Sequence, residues 1–324
     1  MNLVAVQAHM QLSDYETAEA FHKKIISLTE KSLEGLPDGE TLLAFPEAIG
    51  FPLLLTLGHF KQVKDRSSIR QAMLSYVRQD WQKLLTAMWK NRAFGLKALY
   101  LAQAVSAYTV YKRAFSEAAQ SYGVTIVAGS HFLPHIEEEG ARGIHIANPK
   151  VFNTAFSFAP TGTLLNRSRK VYLNAGSESR SGLNKGKLSE LSFMQSPVGK
   201  VGVAICLDAF YSSVMEHFDA LGTEIIVQPS ANHASWFRRW PRDTVLTEGE
   251  AWFAYGLLHQ VQNRQNIRLG VNPMLVGKLW DLEASGRSSI VANTGYYPEA
   301  FTEQPGILAI AESPFEESFV RVSL

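Results

Sequence analysis

The sequence predicts an α/β fold with mixed sheets, and three observations predict it. Short apolar or β-branched runs recur along the 324 residues, at 3–7, 41–45, 125–130, 151–158, 201–206, 224–228, 267–271 and 289–292. Stretches of helical periodicity, such as 17–33 and 110–121, separate several of them, and strands alternating with helices indicate an α/β sheet protein. Residues 153–158, the turn Ala159-Pro-Thr-Gly-Thr163 and residues 164–173 read as a hairpin. The sheets are therefore not purely parallel.

Hydrophobic residues make up 46% and charged residues 19% of the chain, which sets aside a disordered chain and a charge-rich coiled coil. The length supplies a substantial core, in one large domain or two small ones. A formal net charge of +1 gives no global attraction to nucleic acid or to an anionic membrane. The single cysteine excludes an internal disulfide and a cysteine-cluster metal site, and a reducing compartment is the easier reading.

Taken in order, Met1-Asn-Leu-Val-Ala-Val-Gln7 lacks a basic region and a long apolar stretch, so it reads as a first strand rather than a signal peptide. The next strand runs into Leu42-Leu-Ala-Phe-Pro-Glu47-Ala-Ile-Gly-Phe-Pro52. A carboxylate at a strand end points into the crevice where α/β proteins bind ligands; on its own Glu47 also reads as a solvated loop acid. Residues 53–120 contain no proline and little strand-like text. Ile69, Met73, Tyr76 and Val77 fall at helical spacing, as do Leu84, Leu85, Met88 and Trp89, which predicts two or three helices. These can pack on the sheet, cap an active-site mouth or meet a partner chain, and Trp81 and Trp89 suit cores and interfaces alike. Packing is favoured for most of the segment, with residues 53–59 near the site. The apolar run between Lys97 and Lys112 falls short of the about 20 residues that a bilayer span needs. The expectation is a soluble, cytoplasmic protein.

Asn166-Arg-Ser-Arg-Lys170-Val-Tyr-Leu173 places basic residues at a strand edge, where they ordinarily face solvent. Its cations lack the glycine-rich cradle of a phosphate site. Cys206 ends the apolar run Val201-Gly-Val-Ala-Ile205 and precedes Leu207-Asp208. A lone thiol there reads as a small buried hydrophobe or as a nucleophile. Combined, the three segments make coherent chemistry. A glutamate raised in pKa by burial can take the thiol proton. A lysine and the backbone N–H of Leu207 can hold the oxygen of a tetrahedral intermediate. No histidine is needed.

These segments resemble those of the nitrilase, or carbon–nitrogen hydrolase, superfamily. Phe45-Pro-Glu47 resembles the segment carrying the family's catalytic glutamate. Phe152-Asn-Thr-Ala155, Gly162 and Arg169-Lys170 resemble its "YNTA…G…RK" pattern. Gly202-Val-Ala-Ile-Cys206-Leu-Asp208 resembles "GVxICxD", and Gly286-Arg-Ser288 fits a later familiar segment. The resemblance runs from residue 3 to about 295, outside the helical stretch. It implies a single carbon–nitrogen hydrolase domain over 1–324 with a helical insertion at 55–105. The implied fold is a four-layer α-β-β-α sandwich of two mixed sheets, paired into a homodimer or higher homo-oligomer. It implies Glu47, Lys170 and Cys206 as the catalytic set. It also implies a second glutamate that orients the first; Glu178, in Asn174-Ala-Gly-Ser-Glu178, is the candidate, with a solvated loop acid as its plain reading.

The chain departs from the family at Gln260-Val-Gln-Asn-Arg264, where relatives often carry Arg-Ala-x-Glu-Asn, and at Phe210-Tyr-Ser-Ser213, where Arg-Phe-Pro-Glu is frequent. The insertion is also long. These differences place it on an outlying, amidase-like branch. Leu207-Asp208 resembles the amidase pattern rather than the Trp-Glu of nitrile-active relatives. The expected activity is cleavage of an amide or carbamoyl C–N bond in a small molecule through a cysteine thioester. The alternatives are nitrile hydrolysis or N-acyl transfer on the same scaffold, and a non-catalytic interaction protein.

Other features carry less. His131 and His135 have i,i+4 spacing, but Pro134 and the strand before them argue against one helical face, and no metal pattern occurs. No metal and no cofactor are expected. Trp236-Phe-Arg-Arg-Trp-Pro-Arg242 mixes aromatics with arginines, as some nucleic-acid surfaces do; at +1 overall, a loop at the substrate mouth is favoured, with no nucleic-acid or membrane partner. Asn232 and His233, just past a strand end, are candidates for shaping the acyl pocket, with a capped turn as the other reading.

Overall fold

Along the first strand, β1 (Asn2–His9), Leu3 and Ala5 enter one apolar cluster and Val4 and Val6 another. Side chains of a strand alternate between faces, so a strand with apolar side chains on both faces is covered on both. The same division holds at β2 (Thr41–Ala44), where Leu42 and Ala44 part from Leu43. The remaining strands are β3 (Thr125–Glu139), β4 (Gly143–Phe158), β5 (Leu164–Arg169), β6 (Met194–Ser196), β7 (Gly199–Val203), β8 (Ile225–Val227), β9 (Leu269–Asn272), β10 (Leu275–Leu279), β11 (Leu282–Ala284), β12 (Ser289–Ala292), β13 (Ile307–Ile310) and β14 (Ser318–Ser323). This computed structural model describes residues 1–139, 143–176, 178–242, 245–298 and 304–324.

One sheet has the order β11-β10-β1-β2-β3-β4-β5, with β14 also paired to β1; the other runs β13-β12-β9-β8-β7-β6. Both are mixed. β1, β2 and β3 are mutually parallel and β3-β4-β5 antiparallel; β7, β8 and β9 are parallel and β12 antiparallel to β9. The inner faces meet through Leu3, Ala44, Val127, Val203, Val227 and Val271.

Helices close the outer faces. Against the first sheet lie α1 (Ala18–Leu33), capped by Thr17 accepting the Ala20 N–H, and part of α6 (Leu96–Tyr122), which ends at Gly123 in the left-handed conformation. Between them come α2 (Leu53–Thr56), α3 (Phe60–Val63), α4 (Ile69–Gln79) and α5 (Trp81–Asn91). Against the second sheet lie α7 (Ser212–Ala220) and α9 (Leu257–Val261), with α8 (Glu248–Tyr255) preceding α9. The layers are therefore α-β-β-α, as the resemblance implies.

Several element bounds differ from the sequence expectation, for physical reasons. α6 is 27 residues long, whereas periodicity points only to its second half. Residues 98–101 at its start are all buried, and a helix apolar all round shows no stripe. β3 and β4 extend beyond the expected strands as one long ribbon that shifts register near Pro134, where a ladder N–H is missing. β7 stops at Val203, three residues before the thiol. No helix among the described residues is long and apolar enough to cross a membrane.

Candidate active site

Glu47, Lys170 and Cys206 each sit just past the end of a strand. After β2, the Phe45 N–H donates to the Val127 carbonyl at 2.8 Å, which holds the chain against β3 through Pro46. Gly129 permits that approach: its φ is +73°, and a Cβ there would lie 2.0 Å from the Pro46 carbonyl oxygen. Beyond Glu47, the Ala48 N–H donates to Ser130 Oγ, the Gly50 N–H to the Ser130 carbonyl, and Tyr15 Oη to the Ile49 carbonyl. Glu47 is thus fixed by contacts on both sides and is 4% exposed.

Lys170 follows β5. Its N–H donates to the Asn153 carbonyl at 2.9 Å, and its own carbonyl accepts from Gly186 at 2.8 Å. Cys206 follows β7 after two residues and begins a 3-10 turn, Cys206–Phe210. Its φ is +49°, a left-handed conformation that is costly for a side chain with a Cβ and that clusters at functional sites. The turn is held from the second sheet: the Cys206 N–H donates to the Pro229 carbonyl at 2.9 Å, and Gln228 Nε2 donates to the Cys206 carbonyl at 2.8 Å.

These groups form one network. Lys170 Nζ donates to Glu47 Oε1 at 2.6 Å and to Glu178 Oε2 at 2.8 Å. Asn153 Nδ2 bridges the same two acids, at 2.8 Å to Glu47 Oε1 and 2.9 Å to Glu178 Oε1. The Ala231 N–H reaches Glu47 Oε2 at 3.1 Å, and the Asn174 N–H reaches Glu178 Oε2 at 2.9 Å. Both carboxylates therefore receive charge-assisted bonds, which makes an ion cluster this deep tenable.

The electrostatics follow from the same contacts. Burial opposes the Lys170 charge, but Glu47, Cys206 and Glu178 outweigh it, and the ammonium is held above the ordinary lysine range. Cys206 is half-buried as a residue, yet its sulfur has protein around it. Desolvation pushes the thiol well above its ordinary range, Glu47 adds to the rise, and Lys170 works in the opposite direction. The thiol thus lies beside the Glu47–Lys170 ion pair.

Sequence reasoning gave no role to three contributors, although two of them, Asn153 and Asp208, stand inside the family-like segments. Asn153 is fully buried in the second half of β4, and a buried amide there requires partners. Asp208 lies in the Cys206 turn and accepts the Val171 and Tyr172 N–H groups at 2.7 to 3.1 Å, joining the thiol's turn to the Lys170 segment. Burial pushes its carboxyl up to about 7, although those two N–H bonds pull the other way. The Ala231 N–H, invisible in a side-chain reading, is the third.

The remaining candidates fall as follows. The Leu207 N–H, in the first turn after Cys206, has no acceptor among the described residues. Asn232 turns away from the network: its Nδ2 donates to the Ala234 and Ser285 carbonyls and its Oδ1 accepts from Ala234. His233 is exposed and pairs through Nδ1 with the Glu283 carbonyl. Trp236 is buried and packs on Trp252 and Gly249. At the departures, Gln260 Nε2 donates to the Phe210 and Tyr255 carbonyls and its Oε1 accepts from Ser212, so a neutral amide braces the end of the Cys206 turn. Tyr211 stacks on Tyr172 with ring centroids 3.7 Å apart.

Comparison with known proteins gives the family and supports the fold. The family model described as carbon-nitrogen hydrolase matches residues 3–247, and the chain belongs to that family. Among curated relatives, omega-amidase NIT2 of Danio rerio is 32% identical over 123 residues, which are 36% of this chain and 39% of that protein. Deaminated glutathione amidase of Synechocystis sp. is 26% identical over 238 residues, 70% of this chain and 78% of that protein. Among solved structures, a carbon-nitrogen hydrolase from Helicobacter pylori G27 superposes with a TM-score of 0.62 at 16% identity, over 99% of this chain and 87% of that one. An amidase from Nesterenkonia sp. AN1, captured after Michael addition of acrylamide at its active site cysteine, gives 0.60 at 14% identity, over 100% and 93%. At these identities the structural likeness speaks for the fold.

Proposed function

We propose that the protein is a thiol hydrolase cleaving a non-peptide C–N bond, of an amide or carbamoyl group, in a small molecule. The observation that carries this reading is the buried Glu47–Lys170–Glu178 cluster, bridged by Asn153, beside a cysteine in left-handed conformation. An ion cluster at such depth is expensive without a task. The two amidases among the relatives support the same class.

In the proposed mechanism Glu47 takes the Cys206 proton as the sulfur attacks the carbonyl carbon. The negative charge passes from carboxylate to sulfur to oxygen while remaining near Lys170. Lys170 and the Leu207 N–H hold the oxyanion. The C–N bond then breaks, and Glu47 returns the proton to the departing ammonia or amine. Glu47 next takes a proton from water, whose oxygen attacks the thioester; the C–S bond breaks and the thiol is restored. Glu178 is a positioning residue, holding Lys170 and Asn153 in place. Pairing into a homo-oligomer belongs to this proposal.

The experiment is a panel of small amides and carbamoyl compounds with ammonia and amine release measured. The reading requires release by the wild type and none by Cys206→Ala. A panel with no turnover by folded wild type sinks it, and product appearing only with an added amine acceptor turns it to N-acyl transfer.

A further inference from the structure

We infer that the outer face of the consecutive helices α4 and α5 is a peripheral docking surface for an anionic lipid bilayer. Fifteen large hydrophobic side chains are exposed among the described residues, and six of them fall between positions 74 and 94. Trp89 is 88% exposed, Phe94 73% and Trp81 55%, with Leu74, Val77 and Leu85 beside them. Trp81, Leu85 and Trp89 follow one another at i,i+4 along α5 and form a stripe. The opposite face of α5 is already used, because Leu84 and Ala87 are buried in the core.

The two helices are firmly mounted. Tyr76 is buried against His59 at 4.8 Å between rings, and His59 Nε2 lies 2.8 Å from Asp80. Trp280 Nε1 donates to the Val63 carbonyl at 2.8 Å, and the Ile69 N–H to Asp281 at 2.8 Å. The apolar stripe is thus the outward side of a docked element.

Its charge identifies the partner. The two helices with Asp80, residues 69–91, carry four Lys or Arg against one Asp, +3, and the wider segment 61–97 carries nine against two, +7; the rest of the chain carries 22 against 28, −6. The whole-chain value of +1 conceals this asymmetry, so the expectation of no membrane attraction holds only for the sum. All nine cations but Lys97 are exposed. Exposed Trp, Phe and Leu bordered by cations match a surface that lies in the headgroup region and draws anionic lipid. A second copy fits poorly, because a two-fold interface would set this positive field against itself. Single-stranded nucleic acid would stack on the aromatics but leave Leu74, Val77 and Leu85 without a role.

The test is flotation of the full-length protein with vesicles of phosphatidylcholine alone or of equimolar phosphatidylcholine and phosphatidylglycerol. Binding is expected to the anionic vesicles only and to weaken with salt. Trp89→Ser and Phe94→Ser should each lower partitioning roughly tenfold. Arg78→Glu and Lys90→Glu should each lower it at least about fivefold. All four positions are exposed, and melting temperatures of the variants check their folding. The inference is overturned if the wild type stays unbound at low salt, or if the Trp89 and Phe94 variants bind undiminished. It is overturned equally if the same substitutions abolish instead a concentration-dependent dimer or retention on single-stranded DNA.

Discussion

Lys170 Nζ lies 2.6 Å from Glu47 Oε1, and the side chains are 3% and 6% exposed. A pair this dry cannot lose one member without leaving a buried charge. Lys170→Met leaves Glu47 and Glu178 facing each other. It should abolish turnover and cost about 3–5 kcal/mol of stability. Chemical denaturation of the variant checks this; stability within experimental error of wild type contradicts it.

The thiol's position between a carboxylate and an ammonium gives a test that needs no substrate. Glu47 raises the Cys206 thiol and Lys170 lowers it. At neutral pH, Glu47→Gln should therefore alkylate several-fold faster with iodoacetamide while losing amide turnover, and Lys170→Met should alkylate more slowly. Equal rates in all three proteins would remove both charges from the thiol's surroundings.

Asn153 holds both glutamates with one amide group. Asn153→Ala should keep the fold yet lower kcat by about 10²-fold, the effect of losing one oriented donor, with a smaller change in KM. A loss confined to KM would make Asn153 a substrate contact instead.

Asp208 gives a pH signature. Its carboxyl rises from an ordinary 3.8 to about 7 in the folded protein, so the folded state binds this proton more tightly than the unfolded chain. That contribution is full below the unfolded value and is lost as pH rises through about 7. Asp208→Asn should flatten the stability profile between about pH 4 and 7. Denaturation midpoints across that window measure the slope, and an unchanged slope in the variant removes Asp208 as its source.

Glu47, Lys170 and Cys206 were legible as candidates because each lies in a short segment that resembles a family motif. Both sheets were legible for a similar reason: β1, β2 and β12 each hold a short apolar run, residues 3–6, 42–44 and 290–292. What stayed hidden depends on groups far apart in the chain. Asn153 meets Glu47 across 106 positions, and nothing beside it in sequence announces that contact. The left-handed backbone at Cys206 arises from bonds to residues 228 and 229, so a strand running through the thiol was the natural local reading. The positive charge of residues 61–97 was legible throughout, but only when counted by segment.

The central claim, that Cys206 carries the acyl group, is tested most directly by intact mass spectrometry of acid-quenched enzyme during turnover of a competent amide. The account predicts an adduct equal to the acyl group on wild type, released by hydroxylamine and absent from Cys206→Ala. Turnover by Cys206→Ala at the wild-type rate, or an adduct that survives in that variant, would contradict it.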